Sequence, residues 1–137
     1  MIGLVLVAHG RLAEEFRSAV EHIVGPQAQM ATLSMGADED VDSMRDTLLK
    51  AARGVDTGDG VVILTDMFGG TPSNLAISVM SEGPIEVIAG MNLPMLVKLA
   101  KLRGEKSLPD LVDAAQEAGR KYIRVASQVL VGVKSAS

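Results

Sequence analysis

The sequence predicts an α/β fold: a single domain with a mostly parallel central sheet and helices on both faces. Three observations carry that expectation. Apolar runs at 2–8 and 61–65 have strand length and no polar alternation, as in strands buried on both faces of a parallel sheet, and 85–89 reads as a third strand. Between the strand candidates lie segments of roughly 10 to 16 residues with apolar side chains at helical spacing, the pattern of βαβ units with right-handed crossovers. Gly and Pro punctuate the joints.

Each element follows in order. Ile2 to Ala8 is the first strand. Leu12, Phe16, Ala19, Val20 and Ile23 recur at helical spacing, and Gly25-Pro26 stops that helix. Gln29 to Met35 is a weaker strand candidate. Asp38 is placed to cap the next helix, whose core side reads Val41, Met44, Leu48 and Ala52, with Gly54 near its end. Gly58-Asp59-Gly60 leads into the strand Val61 to Thr65. After the loop Asp66 to Gly70, Thr71-Pro72 reads as an N-cap followed by proline in the first helical position, opening a helix to about Ser81. Gly83-Pro84 precedes the strand Ile85 to Ala89. Asn92 is a cap for a helix through Leu102, ended by Gly104. Ser107 and Asp110 start a last helix that reaches Tyr122. The apolar segment Val125 to Val133 has no partner after it: it either extends the last helix or adds a strand on a sheet edge, antiparallel and exchanged in a dimer. An exposed apolar edge strand is a liability, so a homo-oligomer that covers it is expected.

Composition narrows the function classes. The chain has 137 residues, one domain by length, and 47% of them are hydrophobic, enough for a core that needs no staple. It has no cysteine, which excludes a disulfide framework, a thiolate metal site and thiol catalysis. Net charge is −4, the wrong sign for a general nucleic-acid or acidic-membrane binder, and Phe16, Phe68 and Tyr122 do not make a base-stacking platform. The apolar start is broken by His9, Gly10 and Arg11 and lacks a basic lead, so it reads as a strand and not a signal peptide. No apolar run nears the roughly 18 residues of a membrane helix. A cytoplasmic protein is expected, without membrane insertion.

In an open parallel sheet, sites form beyond the carboxyl ends of the strands. Three segments fall there: His9-Gly10, Asp66 to Thr71, and Gly90 to Asn92. If the first strand neighbours 61–65, His9 and Asp66 come together. A carboxylate that accepts from one ring nitrogen fixes the tautomer and leaves the other nitrogen as a nucleophile. Gly69 and Gly70, opening a helix beside the Thr71 hydroxyl, supply backbone N–H groups and a positive dipole end that suit a phosphoryl group. Each part also has a structural reading: His9 as a packed strand end, Asp66 and Thr71 as strand terminator and helix cap. FGGTPSN lacks the lysine of a P-loop, and there is no GxGxxG for a dinucleotide. His22 reads as a helix-surface residue, Glu14 and Glu15 as a solvated face, and Asp38 to Asp40 as a complement to a helix dipole. Most methionines read as core filler, with Met67 and Met91 beside the crevice able to line a partner surface.

LVLVAHG at 4–10, DMFGGTPSN at 66–74 and GMNLPML at 90–96, in that order, resemble the IIA domain of the mannose-family phosphoenolpyruvate:sugar phosphotransferase system (PTS). The resemblance covers residues 1–137. It implies a phosphohistidine carrier in which His9 accepts a phosphoryl group from the phosphocarrier protein HPr and passes it to a IIB component. Asp66 would hold the ring through Nδ1, leaving Nε2 as acceptor, with Thr71 and the backbone around Gly70 near the phosphate. Partner contact would centre on Met67, Phe68 and Met91. No metal or other cofactor is implied. Dimers of the family exchange a C-terminal strand, which would occupy the orphan segment. Many members continue into a IIB domain, whereas this chain stops at Ser137, so a separate IIB component or a regulatory target is expected. Two alternatives accompany this one: the IIA-like phosphotransfer subunit for dihydroxyacetone kinase, and a class II tetrapyrrole chelatase using His9 on a metal. A receiver domain phosphorylated on Asp66 would need an acidic cluster where His9 and Gly10 stand.

Overall fold

The computed structural model describes residues 1–36 and 40–130. Four strands, β1 (Gly3–His9), β2 (Met30–Met35), β3 (Val61–Thr65) and β4 (Ile85–Ala89), form an all-parallel sheet in the order β2-β1-β3-β4. Five α-helices connect and cover it: α1 (Leu12–Val24), α2 (Val41–Val55), α3 (Thr71–Ser78), α4 (Leu93–Leu102) and α5 (Leu108–Lys121), with one 3₁₀ turn at Met80–Glu82.

Side-chain alternation divides the core into two layers. Leu4, Leu6 and Ala8 join Val62 and Leu64 under α1, α4 and α5, while Val5, Val7, Val61 and Ile63 pack against α2 and α3. Every residue of β1 is buried except His9, the last one. His9 shares the parity of Val5 and Val7, so it belongs to the side of the sheet on which α3 starts. The parallel register pairs Val7 with Thr65, which brings Asp66 to the same rim as His9.

The strands and the order of helices agree with the sequence expectation; several details differ for packing reasons. In α1 the stripe toward the sheet is Ala13, Phe16, Val20 and Val24, so Leu12 and Ile23 are exposed. Val41 is likewise exposed, because α2 meets the sheet through Met44, Leu48, Ala52 and Val55. The N-cap position of α2 is Asp40, and Asp38 and Glu39 lie outside the described residues. Gly70, not Thr71, occupies the N-cap position of α3, and that helix ends at Ser78 where the 3₁₀ turn takes over. Asn92 and Ser107 do cap: the Asn92 side chain accepts from Met95 N and the Ser107 hydroxyl from Asp110 N. Of the segment 125–133, residues 126–130 are helical and separate from α5, and 131–133 lie outside the described residues.

Below the sheet, at the end away from His9, a residue absent from the sequence reading closes the structure. Arg103 is 2% exposed. Its guanidinium donates to the carbonyls of Ile2, Ala28 and Gln29 and to Gln27 Oε1, tying the end of α4 to the starts of β1 and β2. Burial lowers its pKa, with Arg17 adding to the effect.

Candidate functional site

The rim of the sheet is assembled from the β1–α1 and β3–α3 connections. Gly10, with φ +55, turns the chain out of β1, and its N–H donates to the Met35 carbonyl. Gly69, with φ +89, gives the β3–α3 loop a left-handed step that a side chain would strain. These two turns bring His9 and Asp66, 57 residues apart in the chain, into direct contact.

The His9 ring nitrogen Nδ1 lies 2.7 Å from Asp66 Oδ2. The same oxygen accepts the backbone N–H of His9 at 3.1 Å, and Asp66 Oδ1 accepts from Met67 N at 3.1 Å. The carboxylate is therefore held on both oxygens. Burial works to raise the Asp66 pKa, but the hydrogen bonds from the His9 side chain and backbone, the ring's charge and a bond from Asp66's own backbone outweigh it and hold the group below its ordinary value of 3.8. An ionised carboxylate can only accept, so in the neutral form of the ring the proton sits on Nδ1 and the lone pair on Nε2. The His9 side chain is 53% exposed and that of Asp66 12%, so the carboxylate is sheltered while the imidazole is open to solvent.

Gly70 lies against that ring. A Cβ built at this position would sit 3.1 Å from His9 Cε1 and 3.6 Å from Nε2. Glycine therefore keeps the space next to Nε2 open and lets the backbone at the start of α3 approach it. Thr71 follows as an exposed residue in the first turn. Pro72, next in the helix, has no N–H, and Asn74 N already bonds Gly70 O. The N–H groups at the mouth of α3 put the positive end of that helix beside the His9 imidazole. That arrangement suits a phosphoryl group in transit between nitrogens.

Of the three segments expected at the rim, two converge and the third is structural. Gly90 N and Met91 N both donate to the Thr65 carbonyl, and Asn92 Nδ2 donates to Gly119 O. Met91 does not line a partner surface: it is 5% exposed, its side chain turned into the core layer of Leu64, Leu96 and Leu111. Met67 and Phe68 are exposed at the loop tip, Phe68 by 76%, as a contact surface requires. His22 stands in the last turn of α1, at the far end of that helix from His9, so it brings no second imidazole to the rim. Among the described residues, no three His, Asp or Glu side chains converge as metal ligands, and no helix is long and apolar enough to cross a membrane. Arg11, read in the sequence only as the break after the first strand, is an exposed cation at this rim.

Known proteins share this sequence pattern and fold. The sequence pattern of the family described as "PTS system fructose IIA component" matches residues 3–116. The fructose-specific EIIA component of Bacillus subtilis is 27% identical over 138 aligned positions, covering 100% of this chain and 94% of that protein. The mannose-specific EIIAB component of Escherichia coli K12 is 32% identical over 125 positions, covering 90% of this chain and 39% of that longer protein. The crystal structure of a phosphotransferase system component EIIA from Streptococcus agalactiae superposes with a TM-score of 0.86 at 28% identity, covering 93% of this chain and 99% of the other.

Proposed function

The chain belongs to the family of PTS IIA components, phosphotransfer proteins of the mannose and fructose type, and on that premise we propose that residues 1–137 form a IIA domain that carries a phosphoryl group on His9. The group arrives from HPr and leaves to a separate IIB component or to a regulatory target. The observation that carries this reading is the pairing of His9 Nδ1 with Asp66 at 2.7 Å, with Nε2 left beside the Gly70 turn.

In the proposed step, the Nε2 lone pair attacks phosphorus as the donor's N–P bond breaks. The bonding electrons return to the donor imidazole, and the Nδ1 proton stays on His9. The ring gains positive charge, which Asp66 neutralises. No other side chain needs to move a proton, so catalysis is in-line positioning and charge stabilisation. Gly70 and Thr71 would hold the phosphoryl oxygens. Met67 and Phe68 would form the apolar centre of the partner surface, and a net charge of −4 favours encounter with a basic carrier. No metal or other cofactor enters the step. The proposed setting is the cytoplasm. The relatives reported above are named for fructose and mannose, which favours a sugar system over the dihydroxyacetone kinase alternative and leaves His9 without a reason to act as a chelatase ligand.

We also assign a homodimer. Support comes from the open edge at β4, where a groove of about 300 Å³ runs from Phe68 along the strand to Val112, and from the exposed Ile123, Val125 and Leu130 near the end of the chain. Light scattering of a chain truncated after Tyr122 should show monomers or aggregates; an unaltered oligomer would remove the tail from the interface.

Intact mass after incubation with phosphoenolpyruvate, enzyme I and HPr tests the main reading. Wild type should gain one acid-labile phosphate and His9→Ala none. No gain on wild type with active donors would sink the proposal.

A further inference from the structure

The segments that follow the four strands are short of positive charge. Gly36 to Asp40 and Asp66 to Gly70 contribute Asp38, Glu39, Asp40 and Asp66, and Gly90 to Asn92 has no charge. The turn after β1 supplies the one cation of this set, Arg11. A phosphoryl group on His9 brings about two negative charges beside the Asp66 carboxylate.

Arg11 is held at its backbone and loose at its guanidinium. Glu15 N donates to Arg11 O, and Gly10 N is pinned to Met35 O. The side chain is 79% exposed, and Nη2 lies 3.5 Å from Glu14 and 4.0 Å from Glu15. Those separations exceed the 2.7 to 2.9 Å, roughly, of a charge-assisted hydrogen bond. Glu14 is engaged elsewhere as well, accepting from Ser34 Oγ at 3.1 Å. Arg11 is two positions after His9, at most about 7 Å between Cα atoms, a span an arginine side chain crosses.

We infer that Arg11 is a contact for the phosphoryl group on His9 and that Glu14 and Glu15 hold it in waiting while His9 is unmodified. The inference rests on the phosphohistidine reading and adds a charge switch to it. On phosphorylation the guanidinium leaves the two carboxylates and pairs with phosphoryl oxygens, forming and breaking no covalent bond. Its effect is on the position of the transfer equilibrium: it favours the phosphorylated state of this chain over phosphorylated HPr.

The test measures the equilibrium partition of phosphate between HPr and wild type, Arg11→Gln, Arg11→Lys, and a Glu14→Gln/Glu15→Gln double variant. Arg11→Gln should shift the partition about three- to fivefold toward HPr, and Arg11→Lys should recover part of it. The double variant frees the guanidinium and should shift the partition about twofold the other way. The wild-type advantage over Arg11→Gln should shrink between about 50 mM and 500 mM salt, since an exposed pair is screened. If wild type takes phosphate and Arg11→Gln partitions identically at both salt concentrations, the inference is overturned and the carrier reading stands. If wild type takes no phosphate, the carrier reading itself has failed.

Discussion

The two ends of the sheet each hold a charged side chain and treat it in opposite ways. At the lower end the Arg103 guanidinium is buried and donates to three backbone carbonyls and a side-chain amide. At the upper end Asp66 is sheltered and its partner His9 is half exposed, with one ring nitrogen bonded and the other left open. The lower arrangement spends both Nη groups of the guanidinium on closing the fold. The upper one consumes just enough hydrogen bonding to fix a tautomer and leaves a lone pair for chemistry. Stability and function are thereby separated along the strand direction, as the rule for parallel sheets anticipates.

That separation can be broken end by end. The largest effect belongs to His9→Ala, which should abolish phosphoryl acceptance while changing unfolding free energy by no more than about 1 kcal/mol, because the side chain is half exposed. Denaturant unfolding alongside the mass measurement checks both arms; a large loss of stability would mean that the rim also holds the fold. Arg103→Met should do the reverse. It strands several buried carbonyls and should cost about 3 kcal/mol in a urea titration, with the phosphoryl transfer rate of the folded fraction unchanged. A transfer defect in that variant, measured where it is fully folded, would show that the two ends are coupled.

Asp66→Asn sharpens the comparison because it keeps the shape and removes the charge. Transfer should slow by about 10²-fold, since the ring loses its anionic partner as positive charge develops. Stability supplies a second readout. The Asp66 pKa is lowered by folding, so its contribution is complete above the ordinary value of 3.8 and is lost as pH falls through the lower folded value. The stability gap between wild type and Asp66→Asn should therefore narrow below about pH 4; a gap independent of pH would take the ionised carboxylate out of the account.

Much of the rim was legible in the sequence. The uninterrupted apolar runs of β1 and β3 mark buried parallel strands, and His9 and Asp66 each follow one of them directly. The glycine pair before a proline-started helix marks the turn that packs against the His9 ring. Met91 was misread because a loop position between a strand and a capped helix says nothing about which way the side chain turns; the bonds of Gly90 and Met91 to Thr65 O decide that. The same limit explains α1, where a shift of one residue in the apolar stripe exposes Leu12 and Ile23 and buries Ala13 and Val24 instead.

By itself, the sequence determined the βαβ class, the family, and which two residues could form an imidazole–carboxylate pair, because periodicity, turn chemistry and motif order are local properties. Tertiary structure alone decided that β1 lies beside β3 in a register that puts His9 on Asp66, that a side chain at Gly70 would crowd Cε1 of the His9 ring, and that Arg103 is enclosed by carbonyls from two segments distant from it in the chain. Each of those facts is a relation between residues far apart in the chain, and only packing sets such distances.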